Sequence, residues 1–253
     1  MSIISFYRKA VLIFVTLITM SVVTITAYAS TIEDTISKGV DSVQTQIDIS
    51  SCNVTPEEAV KAYVNLKNTN PYFFYAGVQV DCKYDGSKAK TLVVSYNASK
   101  TDIQTQKKAV DSKADSIAEL AKSAATNEEK AQIVHDYFIN NTKYSTNPNA
   151  TVYDLLVNNQ GVCTSYALSY KLVMDKLGIP CGISVSTAMN HEWNVIQLDS
   201  KWYNVDITYD VSSGIGGNGN FLKSDSLFKI IGHTSWVNSN GVVCTDTKYD
   251  SNF

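Results

Sequence analysis

A helix with both ends marked, opening at Cys163, constrains this chain more than any other stretch. Ala167, Tyr170, Val173, Met174 and Leu177 recur at helical spacing, Gly178 supplies a C-terminal cap, and Pro180 blocks continuation. A hairpin follows. Residues 193–198 and 202–207 are strand-like, with Asp199-Ser200 as the natural turn. With those two residues as the loop, Leu198 pairs with Lys201 and Trp193 with Asp206. Asp206 then falls diagonal to His191 on one face, at about 7–8 Å between Cα atoms, within reach of both side chains. A slip of one residue would put the two on opposite faces.

Cys163, His191 and Asp206 are a thiol, an imidazole and a carboxylate in the order that nucleophilic attack on a carbonyl uses. The base activates the thiol, and the acid fixes the tautomer and orientation of the base. A helix N-terminus favours an anion, and thiols so placed beside an imidazolium titrate at roughly 3.5–7.5. The same exposed N–H groups can hold the oxyanion of a tetrahedral intermediate.

Residues 1–29 have the layout of an export signal: Arg8 and Lys9, a largely apolar stretch, then Ala27-Tyr28-Ala29 as a small-x-small cleavage pattern. A retained membrane anchor is the alternative, although the apolar stretch is short for a span. Cleavage would leave about 224 residues and move the formal charge from −3 to −5. No long basic run supports nucleic-acid binding. Five cysteines follow the leader. If Cys163 stays reduced, Cys52, Cys82, Cys181 and Cys244 remain, and Cys52–Cys82 with Cys181–Cys244 is the most economical of three connectivities, free thiols being the alternative. With no CxxC pair and no completing histidines, no structural metal is expected, nor any cofactor.

The expected organisation is a signal peptide over 1–29, a small α-β-β-α domain over 30–126 and a catalytic domain over 127–253. In the front part, Thr55-Pro56-Glu57-Glu58 starts a helix to about Asn68, strands run over 72–84 and 91–96 around Asp85-Gly86, and a second helix spans 101–124. Residues 128–140 form an amphipathic helix whose His135 reads as a packed or surface residue rather than a catalytic one. Gly214 to Gly219 fit G-x-G-x-x-G, but the strand-like Asn220-Phe221-Leu222-Lys223 follows instead of a helix, so a loop near the cleft is expected rather than a dinucleotide site. His233 and Trp236 read as structural residues, with His233 lining the cleft as the alternative.

Gly161-Val162-Cys163 with Tyr166-Ala167, then His191-Glu192-Trp193-Asn194, then residues 202–210 (Trp-Tyr-Asn-Val-Asp-Ile-Thr-Tyr-Asp) resemble the transglutaminase-like superfamily, its secreted bacterial members above all. The likeness begins at Lys130 to Tyr144 and covers about half of the chain. It implies an α+β, papain-like fold with the Cys-bearing helix packed on an antiparallel sheet carrying His and Asp. It also implies Cys163 as nucleophile, His191 as general base and acid, and Asp206 as orienting carboxylate. Glu192 departs from the family pattern, where a small residue is usual, and so does Tyr209, where many have Trp. Glu192 should point to the face opposite His191. No calcium site has a counterpart.

These readings point to a secreted or cell-surface cysteine enzyme that forms a thioester with a peptide or glutamine-type amide. Hydrolysis of surface or cell-wall peptides is favoured, with protein cross-linking as the alternative. A binding module that keeps the fold without the activity is the rival from another class.

Overall fold

The structure, a computed structural model, describes residues 22–212 and 218–251, with side chains from residue 32 onward. Most of the expected leader therefore lies outside the described residues. Its last residues enter helix α1, Val22–Asp41. Among the described residues no helix is long and apolar enough to cross a membrane.

Two compact units form. The first comprises Met1–Lys67 and Ala76–Asn97, the second Asn68–Tyr75 and Ala98–Phe253. In the first, β1 (Gln46–Asp48), β2 (Ala76–Asp85) and β3 (Lys88–Tyr96) make an antiparallel sheet of order β1-β3-β2. Helix α2, Pro56–Thr69, starts as its sequence requires: Thr55 Oγ1 accepts the Glu58 N–H at 3.2 Å, and Glu58 Oε2 accepts the Thr55 N–H at 2.8 Å. Gly86 takes the positive φ of 57° that the β2–β3 turn needs. The strand expected from residue 72 begins only at Ala76. Asn70 Oδ1 accepts the Tyr72 N–H at 3.0 Å and Pro71–Phe73 close a 3₁₀ turn, so a local cap overrides the aromatic run.

In the second unit, α3 (Lys100–Ala121) packs on α4 (Asn127–Asn141), α5 (Val152–Asn158) and α6 (Cys163–Lys176). Helix α3 belongs to this unit, which divides from the first between Asn97 and Ala98. Its buried stripe includes Ile103, Val110, Ala114, Ile117 and Ala121, and the helix packs on the helices that follow. Short strands β4 (Lys143–Tyr144) and β5 (Gln160–Gly161) pair in parallel, bringing Tyr144 beside Gly161.

The core sheet is antiparallel throughout, in the order β10-β6-β7-β8-β9. Its strands are β6 (Cys181–Ser186), β7 (His191–Leu198), β8 (Lys201–Val205), β9 (Phe221–Lys223) and β10 (Val237–Asn238). The β7–β8 register runs from Leu198↔Lys201 to Asn194↔Val205, as the two-residue turn requires. Asp199 and Ser200 both take positive φ, 49° and 65°, which matches the hand of a tight hairpin turn. After Val205 the chain passes through Asp206 into α7, Ile207–Ser212, and later forms α8, Asp225–Ile230. The result is the expected α+β fold, with the helix that begins at Cys163 lying on an antiparallel sheet.

Candidate active site

The start of α6 is set by packing rather than by a side-chain cap. Val162 is its N-cap and offers no acceptor, whereas hydroxyls cap α3, α4, α5 and α8. The Ser165 hydroxyl accepts the Val162 N–H at 3.2 Å and donates to the Ala150 carbonyl at 2.8 Å. Gly161 leaves room for this: a Cβ there would sit 2.8 Å from Ser165 Cβ and 3.0 Å from Leu155 Cβ. The first N–H groups of α6, around the half-buried Cys163, have no acceptor inside the helix.

Asn194 ties this helix to the sheet. Its buried Nδ2 donates to the Ala167 carbonyl of α6 at 2.9 Å and lies 3.3 Å from the Gly182 carbonyl of β6. That link sits four residues after Cys163 and three after His191, so it sets the spacing between thiol and imidazole.

The structure brings Cys163, His191 and Asp206 together. His191 Nε2 donates to Asp206 Oδ2 at 2.6 Å, and Cys163 lies close enough to the ring to influence its titration. Burial opposes charge on His191, but the hydrogen bonds to Asp206 and Cys163, with their charges, outweigh it and push the imidazole up to about 10. Asp206 is fully buried. Burial alone would raise its carboxyl, yet hydrogen bonds from His191 and His233 hold it below the usual carboxylate value. Its other oxygen, Oδ1, accepts the Tyr209 N–H at 3.1 Å and so caps α7.

Two tyrosines flank the triad. Tyr209 stacks on the His191 ring at 4.6 Å between centroids with 18° between planes. Tyr144 is half exposed and close enough to feel the charge of Cys163.

Glu192 and His191 alternate across β7, as expected. Helix α6 lies on the Glu192 face, as the Asn194–Ala167 bond shows, and Thr164, the residue after Cys163, is close enough to lower the glutamate's titration. Burial raises the Glu192 carboxyl, and its Oε2 is buried without a hydrogen-bond partner. On the opposite face, Trp193 Nε1 donates to Asn204 Oδ1 at 3.0 Å, and the indole meets Phe228, His233 and Trp236.

The sequence reading missed the place of His233. Its Nε2 is 2.9 Å from Asp206 Oδ2, the same oxygen that His191 engages. It stands 27 residues beyond Asp206 and after a glycine-rich stretch of sequence, and no spacing rule connects the two. His135 is a packed residue as expected, fully buried, with Nε2 3.0 Å from Asp210 Oδ2 and Nδ1 3.2 Å from Asp136 Oδ1. Four residues of the G-x-G-x-x-G match, 214–217, lie outside the described residues, and β9 follows the motif where a dinucleotide site would need a helix.

The most economical disulfide pairing is not formed, and the free-thiol alternative holds: all five cysteines are free thiols. Cys181 Sγ accepts from Asn194 Nδ2 at 3.4 Å beneath α6, and the Cys244 N–H is held by Asp225 Oδ2 at 3.1 Å, so each has a local partner.

Among the described residues, His191, Asp206 and His233 are the group that brings three metal-ligand atoms within 4.8 Å of one another. The shared oxygen already meets both imidazole N–H groups, so these residues form a closed hydrogen-bond network. An open cleft of about 360 Å³, lined by Asp115, Glu119, Lys122, Lys130 and Lys176 among others, lies at the far end of α6. At the helical rise it is about 20 Å from Cys163, too far to take part in the chemistry there.

A helix-borne thiol facing an imidazole–carboxylate pair on an antiparallel sheet defines a papain-like thiol site. Residues 114–207, which contain all three side chains, match the family model of the transglutaminase-like superfamily. Solved structures similar to it include a TGase, at 14% identity and TM-score 0.37 over 58% of this chain and 46% of that one. The periplasmic domain of TgpA from Pseudomonas aeruginosa is also similar, at 20% identity and TM-score 0.35 over 55% of this chain and 67% of that one. The chain thus spans less than half the length of the first. No curated protein matches it.

Proposed function

We propose that this protein is an exported cysteine enzyme that hydrolyses peptide or glutamine-type amide bonds, with surface or cell-wall peptides as substrates. The placement of His191, hydrogen-bonded to Asp206 and close enough to Cys163 for the thiol to raise its titration, carries this reading. The Cys163 thiolate attacks the amide carbon, and the oxygen takes the negative charge beside the unspent N–H groups at the start of α6. The imidazolium of His191 gives its proton to the departing amine or ammonia as the C–N bond breaks, leaving a thioester. Water then attacks the thioester, His191 takes its proton, and the carboxylic acid leaves as Cys163 is regenerated. Asp206 holds the imidazole throughout and stays ionised.

The second reading, amine transfer to the thioester, is supported by Glu192, whose partnerless Oε2 lies on the helix side of β7 beside Thr164. Such a carboxyl suits an incoming primary amine.

Mass spectrometry of glutamine-bearing peptides, incubated with and without a primary amine, separates the outcomes. Chain cleavage or a gain of about one mass unit is expected, each lost in Cys163→Ala. Amine incorporation that falls in Glu192→Gln identifies transfer. If Cys163 alkylates with iodoacetamide no faster than a free peptide thiol, and His191→Ala changes nothing, the chain is a binding module and the enzymatic reading is lost.

A further inference from the structure

The carboxylate that orients the base also holds a second imidazole, one beyond the residues that match the family. His233 is fully buried. Its ring stacks on Phe228 at 4.0 Å between centroids and meets the edges or tilted faces of Trp193 and Tyr209, both at 4.9 Å. An aromatic cage of this kind would suit phenylalanine better than histidine if packing were the only requirement. The chain instead buries a polar ring and leaves its Nδ1 without a hydrogen-bond partner, which costs stability. What the ring obtains in that position is a single polar contact, Nε2 to Asp206 Oδ2 at 2.9 Å. Meeting a carboxylate oxygen, that nitrogen carries the proton, so the tautomer follows from the partner.

We propose that His233 is a positioning residue of the site, donating to the same oxygen as His191 so that Asp206 stays fixed and the base keeps one orientation toward Cys163. Three donors then surround the buried carboxylate: His191 and His233 at Oδ2, and the Tyr209 N–H at Oδ1. Removing one of them lets the carboxylate turn about its Cβ–Cγ bond and loosens the contact through which Asp206 fixes the imidazole plane. The donor from His233 also draws negative charge away from Oδ2, which tempers the pull of Asp206 on the proton of His191. The titratable groups that face His233 are Asp206, His191 and Tyr209, and no lysine or arginine is among its ring or hydrogen-bond partners.

This inference rests on the proposed thiol chemistry, and its test reads the two separately. The second-order rate of Cys163 alkylation by iodoacetamide is measured against pH in the wild type, His191→Ala, His233→Phe and His233→Gln. Glutamine can place an N–H where Nε2 lies, while phenylalanine fits the cage without a donor. His233→Phe should lose about tenfold to a hundredfold in rate, the usual effect of removing a group that orients a reactive side chain. Its alkaline limb should move to higher pH while its unfolding midpoint holds or rises, and His233→Gln should recover most of the rate. A His233→Phe rate within twofold of wild type overturns the proposal. So does an equal loss in both variants that follows their stability. A wild type with no His191-dependent enhancement fails the proposed function instead. In that case long-range ¹H–¹⁵N spectra of the wild type still decide the point. A His233 Nε2–H signal that is lost in Asp206→Asn upholds the contact, and a His233 protonated at Nδ1 alone overturns it.

Discussion

His191 is the residue whose protonation the rest of the site controls. Burial is the largest single influence on it and acts against charge, yet Asp206 and Cys163 together lift it to about 10. Asp206→Asn keeps an oxygen in place to cap α7 and removes the charge. Burial then dominates, and the His191 titration seen by imidazole NMR should fall from about 10 to 6.5 or below. Cys163 alkylation near neutrality should drop by about 10²–10⁴-fold. The linkage has a definite sign. Because the folded pKa is raised, the stabilisation from charged His191 is complete below pH 6.5, declines as pH rises, and is gone above about 10. The wild-type unfolding midpoint should therefore fall across that window relative to His191→Gln. A parallel pair of curves would show that the imidazole is not held charged.

At the scale of elements, the hairpin and the helix were legible because each has its limits written locally. Gly178, Pro180 and the apolar stripe define α6, and the two-residue turn at Asp199-Ser200 sets a register that puts His191 and Asp206 within reach. Strands β6 and β10 were not legible. Residues 181–186 carry no alternation, because β6 lies inside the sheet and is almost wholly buried, and β10 has only two residues. The position of α6 depends on Gly161 through space rather than backbone strain. Gly161→Ala would press a methyl group against Ser165 and Leu155, and should destabilise the protein by about 1–3 kcal/mol in denaturant unfolding. It should also slow Cys163 alkylation, since the same residues set where the helix begins. A variant as stable and as reactive as the wild type would mean that the helix start tolerates a shift.

Across the whole molecule, two features lay beyond the reach of spacing and periodicity: the packing of α3 on the helices that follow it, and the surroundings of Cys181 and Cys244. Both depend on contacts distant in sequence: the burial of the α3 stripe in one case, and the local partners of Cys181 and Cys244 in the other. Burial pushes the thiols of Cys181 and Cys244 well up, with nearby acids adding to it. Under native conditions iodoacetamide should label Cys163 first and leave those two untouched. After unfolding without reductant, all five cysteines should be modified, and a mass short by two or four carbamidomethyl groups would reveal one or two bridges.

Asn194 has a consequence for heat inactivation. Its buried amide joins the helix that carries the thiol to the strand that carries the base, so their separation cannot drift while the sheet stays closed. Parts held by the innermost bonds of a domain open only when the domain does. Loss of Cys163 reactivity on heating should therefore coincide with the cooperative melting of the sheet, with no warm, folded and inactive form preceding it.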